Sequence, residues 1–337
     1  MLLQRYLARA VLLRAAVALP ALALVYLGVA LLEQGHAGGR WSLAAIHLAL
    51  LRLPLIVVQV APVALMLGAA LAIVALRGRG ELEALAALGA APPQLWTPVL
   101  LAGLLFAAGT LAVDELVVPP SERAIDARRG GRVVSPLTGL SRRAAWFRLG
   151  RWLYHVDGDR VMALELGPEF RAVRRVDATG GDGVVETRLG EHVPSSPPPD
   201  LTRARKLSGY VGARAEALDY ASLSRRLSQL ERAGQRRPAE RLVLHSKLAY
   251  PALNVVVALL ACLLLRQRPR TPVGTLAAAM SALLLLWLAL ATGWVLARAG
   301  WVVPALGVWG PVGAAFLLAA ALLAVGQRRR GRRGSAA

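Results

Sequence analysis

The residues of this 337-residue chain that could serve as acids, bases, nucleophiles or metal ligands are few and dispersed. The five histidines are His36, His47, His155, His192 and His245, and none share the spacing a metal site requires. The one cysteine, Cys262, lies within an apolar run, which excludes an intrachain disulfide or a Cys-based zinc site. It reads as a small buried apolar residue. No G-x-x-x-x-G-K-[ST] segment occurs, so the chain is expected neither to bind nor to hydrolyse ATP by itself. Two acidic pairs are better placed. Asp114 and Glu115 close an apolar stretch, where an ionisable group is either a solvated helix end or a functional site. Glu81 and Glu83 sit between two apolar stretches, in a short polar connection.

The elements that must position these groups are dictated by hydropathy. Hydrophobic residues make up 56% of the chain and the mean hydropathy is +0.51, more than one soluble core needs. Six stretches are long enough to cross a hydrocarbon layer of roughly 30 Å, which takes about 20 residues each. They fall near 11–33, 52–76, 94–118, 243–265, 272–297 and 303–326. Pro20, Pro62, Pro251 and Pro311 lie inside them and are tolerated where neighbouring helices satisfy the freed carbonyls. The first stretch follows Arg5, Arg9 and Arg14 and is too long for a signal-peptide core, so it reads as a retained span.

The net charge of +20 comes almost wholly from arginine; only Lys206 and Lys247 are lysines. Arg77 and Arg79 follow the second stretch, Arg266, Arg268 and Arg270 the fourth, and Arg328, Arg329, Arg330, Arg332 and Arg333 the sixth. With the N-terminal arginines, these segments share one side of a six-span chain. The positive-inside rule makes that side cytoplasmic and puts both termini there. Arginines that flank spans also exclude the soluble nucleic-acid binder that charge alone would suggest.

Residues 119–242 then lie outside. Short, partly alternating pieces at Ala145–Leu149, Trp152–Val156, Val161–Leu166 and Val184–Leu189 are separated by Gly and Asp turns, which predicts antiparallel strands. Pro194–Pro199 reads as a loop, and Tyr220–Ala233, with Leu223, Leu227 and Leu230, as an amphipathic helix. The fold class is therefore an α-helical polytopic membrane protein, six transmembrane helices in a 3+3 layout. Residues 1–118 and 243–337 carry the spans, and 119–242 form an inserted antiparallel β domain.

In the connection after the second span, Gly78-Arg79-Gly80 breaks the helix and Glu81–Leu88 forms a short helix that Gly89 caps. Pro92 and Pro93 open the third span. Such a helix on the inner membrane face is either a docking element for a cytoplasmic partner or a plain connector.

The motif Glu81-Leu82-x-x-Leu85-x-Ala87-x-Gly89 resembles the cytoplasmic coupling segment of the LptF/LptG family, permease subunits of the lipopolysaccharide-export ABC transporter. Arg5-Tyr6-Leu7-x-Arg9 is similar to the family's opening, and Pro62 to its mid-helix proline. Asp114-Glu115-Leu116-Val117-Val118-Pro119 resembles the end of its third span, with Asp114 in place of the common Asn. Leu244-His245-x-Lys247-Leu248-x-x-Pro251 resembles the start of its fourth. The resemblance implies a jellyroll-like periplasmic domain and a Gram-negative inner-membrane location. It implies a heterodimer with a paired homologous permease, a cytoplasmic ATPase dimer that supplies ATP chemistry, and a single-span accessory periplasmic protein. The implied cargo is lipopolysaccharide; no cofactor is expected on this chain itself. ATPase coupling falls to Glu81, Glu83 and Gly89, with Glu81 pairing to an arginine of the ATPase, and the lipid-cavity rim to Arg40, Asp114 and Glu115. The competing expectations are a permease of the macrolide-exporter or cell-division type and a non-transport scaffold. The former usually has four spans with its large domain after the first, unlike this 3+3 layout.

Overall fold

A computed structural model describes residues 2–38, 43–89, 91–128, 145–149, 151–157, 160–166, 172–178, 184–189, 200–201, 215–232, 235, 237–266 and 271–334. The chain divides into two compact units: Met1–Val118 with His245–Ala337, and Pro119–Leu244.

Among the described residues, six helices are long and apolar enough to cross a membrane, and their apolar stretches belong to the first unit. They belong to α1 (Leu2–Gly38), α3 (Leu53–Gly78), α5 (Pro92–Leu116, which continues into α6, Val118–Arg128), α8 (Pro238–Arg266), α9 (Pro272–Arg298) and α10 (Pro304–Gly334). Two shorter helices complete the unit. The first, α2 (Leu43–Leu51), has nine residues and is too short to span; the second is α4 (Glu81–Ala87). Helix α3 is the central element, packed against α1, α5 and α9, while α9 also packs on α10. Small residues permit the close approach. A Cβ at Gly68 of α3 would stand 2.5 Å from the backbone nitrogen of Ala15 on α1. By contrast α1 shows much of its surface, with Val17, Leu24 and Val25 exposed.

The boundaries differ from expectation at α5. The third stretch is expected to end near 118, yet proline is tolerated in the first turn of a helix, and α6 begins at Val118, directly after the α5 cap, with Pro119 and Pro120 in its first turn.

The second unit holds a single antiparallel sheet in sequential order, β1 (Ala145–Leu149), β2 (Trp152–Asp157), β3 (Arg160–Leu166), β4 (Ala172–Ala178) and β5 (Val184–Arg188). The strand period of two puts Trp152, Tyr154 and Val156 on one face beside Val161 and Ala163 of β3 and Val176 and Ala178 of β4. Register sets Tyr154 opposite Ala163 and Ala163 opposite Val176. The same inward row contains charges: Glu165 and Arg174 pair at 3.8 Å, and the Arg174 guanidinium lies 4.8 Å above the Trp152 ring. Among the described residues the sheet is a meander. The loop expected at Pro194–Pro199 lies outside them, as do 129–144 and 202–214, on which a jellyroll-like closure would also draw.

Helix α7 (Tyr220–Arg232) has the amphipathic pattern read from the sequence. Its Leu230 joins the sheet core, and Leu223 and Leu227 pack with Ala215 and Leu218 against Val243 and Leu244. Asp219 caps it, accepting from the backbone N–H of Ser222 at 3.1 Å. Burial pushes the Asp219 carboxyl up, but hydrogen bonds from Ser222 and the charge of Arg123 outweigh it, so it is held below its ordinary range. Arg226 is buried on the same helix and reaches Glu240 at 3.2 Å.

Candidate functional site

Two groups of polar side chains stand at opposite ends of the first unit's helices. One end gathers the arginine-bearing segments. Helix α3 ends at Gly78; Gly80 (φ 72°) then turns the chain into α4, and Gly89 (φ 77°) turns it out again. Both angles lie in the left-handed region that costs glycine least, so each end of α4 is fixed by residue type. Within this frame Glu81 is held on both oxygens: the Tyr6 hydroxyl donates to Oε2 at 2.8 Å, and Arg79 stands 3.6 Å from Oε1. Glu83 is exposed on the same turn and Leu88 is 83% exposed just beyond. Ala91 donates its backbone N–H to Gln94 Oε1, which starts α5.

The same end is tied across the helices by arginine. Arg77 of α3 donates to the Leu264 carbonyl near the α8 C-terminus at 2.9 Å and to Thr275 Oγ1 of α9 at 3.4 Å. A cation is favoured at those unpaired carbonyls. Arg266 donates to the Leu322 carbonyl of α10. Tyr6, Arg77, Glu81, Arg266 and the last turns of α10 therefore lie at one end of the unit.

The second group lies along the α5–α8 seam. Lys247 Nζ is 3.2 Å from Asp114 Oδ2 and 3.7 Å from Glu115 Oε1. The Lys247 and Asp114 side chains are only 4% and 9% exposed. One turn along α5, Thr110 Oγ1 accepts from Asn254 Nδ2 at 3.1 Å. Next, a Cβ at Gly103 would stand 2.5 Å from Ala258 Cβ, so the helices touch there. Trp96 O and Cys262 Sγ meet at 3.9 Å at the far end. The antiparallel series 96, 103, 110, 114 thus faces 262, 258, 254, 247 at helical spacings. Pairing is what makes a lysine and two carboxylates tolerable at this depth.

Between α8, α9 and α10 a pocket is lined by Ser246, Tyr250, Trp287, Trp294, Val308 and Val312. The Tyr250 and Trp287 rings stand 6.4 Å apart within it.

A family model described as Lipopolysaccharide export system permease LptF/LptG matches residues 5–166 and 191–325. The chain belongs to the LptF/LptG family. The match takes in both groups of spans, the acidic pair of α4 and the seam; the interval it leaves out holds β4 and β5. Among curated proteins no match is found. Membership makes this a permease-type transport subunit, and with six spans a multi-pass inner-membrane protein.

Glu81 and Glu83 lie on the first turn of α4, and Gly89 lies just past its end. Asp114 and Glu115 are together as well, about 30 Å away by the rise of α5. Asp114 is buried against Lys247 rather than ending a helix in solvent. Arg40 lies outside the described residues. The partners of Tyr6 and Lys247 are not legible in the sequence, since no local pattern pairs residues 75 or 133 positions apart.

Proposed function

We propose that this chain is one permease of the lipopolysaccharide-export transporter, drawing the lipid from the outer leaflet of the inner membrane and passing it to a periplasmic bridge. The observation that carries this is the family match across both membrane halves. A paired homologous permease completes the cavity, a cytoplasmic ATPase dimer supplies the energy, and a single-span accessory protein attends the gate. The chain itself holds no nucleotide or cofactor. Its arginine-rich end is cytoplasmic, both termini with it, and the β unit is periplasmic.

Within that scheme α4 is the docking element. Glu81 offers a carboxylate to an arginine of the ATPase, Glu83 adds charge on the same turn, exposed Leu88 adds apolar contact, and Gly89 sets the angle of the helix. Such a pair, covered by the ATPase, is worth more than an exposed one because removing either partner strands the other in a dry interface. The apolar spans accept acyl chains. Arg40, assigned to the cavity rim by resemblance, is the group that meets phosphate; Asp114 and Glu115, assigned to the same rim, are better explained as partners of Lys247.

Co-purification from membranes tests the coupling role. The wild-type chain is expected to bring the ATPase with it, and Glu81→Ala to lower that yield about ten-fold or more, the loss typical of a broken interfacial charge pair. Undiminished ATPase association and lipid release in Glu81→Ala would remove Glu81 from the coupling site.

A further inference from the structure

We infer that Tyr6 is a positioning residue that links the docking helix to the first span, an inference that rests on the transport reading above. The covalent routes out of α4 lead only to α3 and α5, through Gly80 on one side and the Gly89–Pro92 connection on the other. Both routes pass a glycine in a left-handed conformation, where torsion is easily absorbed. Helix α1 has no covalent connection to α4. Among the described residues the Tyr6 hydroxyl bridges the two, donating to Glu81 Oε2 at 2.8 Å across 75 residues of sequence.

The helix so reached packs closely on α3 with one face and leaves the other exposed. Most of the α3 apolar window is buried at the centre of the unit, whereas α1 leaves most of its own window on the surface. A displacement of α4 that acts through Tyr6 therefore reaches α1, and its exposed face, directly instead of by way of α3. The bond also joins a neutral phenol to a carboxylate, the stronger class of hydrogen bond, and it strengthens when a docked protein excludes water from it. Glu81 can serve both partners at once. Oε2 takes the phenol, while Oε1, with Arg79 3.6 Å away, retains lone pairs for an incoming guanidinium.

Two substitutions separate these roles. In Tyr6→Phe the carboxylate and its charge remain, but α1 loses its hold on α4. In Glu81→Gln the amide oxygen still accepts from Tyr6, but the charge offered to the ATPase is gone. The chain is reconstituted with its paired permease and ATPase in proteoliposomes containing lipopolysaccharide, and ATP hydrolysis and lipid release are measured separately. Tyr6→Phe is expected to keep the ATPase bound and hydrolysing while lipid released per ATP falls about five-fold, the factor of one modest hydrogen bond. Glu81→Gln is expected to weaken ATPase association and to leave the lipid released per ATP by the remaining complex near the wild-type ratio. An unchanged melting temperature in Tyr6→Phe confirms that a half-exposed hydroxyl was not needed for folding. A wild-type ratio in Tyr6→Phe overturns the inference. So does loss of ATPase association in that variant, which would make Tyr6 part of the docking surface only. A wild-type complex that binds no ATPase or releases no lipid overturns the transport reading itself, and this inference with it.

Discussion

Lys247 brings a positive charge to a place where only 4% of its side chain meets solvent, and Asp114 answers it at 3.2 Å with Glu115 at 3.7 Å. Removing the lysine alone strands two carboxylates. Lys247→Met is expected to destabilise the protein by about 3–5 kcal/mol, and Lys247→Arg by much less. Thermal unfolding in detergent measures this. Adding Asp114→Leu to Lys247→Met should recover part of the loss, because a buried pair replaced by apolar residues is often close to neutral. At this scale the sequence was legible only in part. The acidic pairs stood out because charge is rare beside apolar runs, and Glu81, Glu83 and Gly89 follow from the grammar of a short capped helix. The lysine was visible as a residue but its partners were not, since a contact across 133 positions leaves no local trace.

At the scale of elements, hydropathy and period carried most of the information. The six spans were legible because crossing a membrane demands about 20 apolar residues whatever the fold. Helix α7 was legible because its leucines recur at helical spacing. Strand β4 was not foreseen, and the reason is specific. Its inward positions are Arg174, Val176 and Ala178, and the first is a charge made tolerable by Glu165 and the Trp152 ring, which hides the alternation. Helix α2 was hidden in the opposite way, as a nine-residue helix that blends into the apolar run before the second span. The cap of α7 gives a prediction with a sign. Folding lowers the Asp219 carboxyl from its ordinary 3.8, so the stability it contributes is present above that value and is lost as the pH falls through the lower folded value. Asp219→Ala is therefore expected to cost about 1 kcal/mol at neutral pH and progressively less in acid. Thermal unfolding of the two proteins across pH 2–7, set roughly by that carboxylate range, shows it as melting curves that converge at the acid end.

For the whole molecule, the arrangement of charge is the informative property. A net +20 on an apolar chain would be unhelpful if the arginines were spread evenly. Instead, Tyr6, Arg77, Glu81 and Arg266 meet neighbours from several helices at one end of the spans, and the buried seam reaches the other end at Lys247. What composition could not supply was the cargo, because apolar helices suit many lipids; that step came from motifs, then from the family match. In the proposed transport, lipopolysaccharide travels against these spans. The most direct measurement is photo-crosslinking in membranes from a benzophenone amino acid placed at exposed apolar positions of the first and fifth spans, such as Val25 and Leu288. A lipopolysaccharide adduct that depends on the ATPase and ATP is expected. Absence of any adduct from every such position on α1 and α9, with the complex intact, would contradict it.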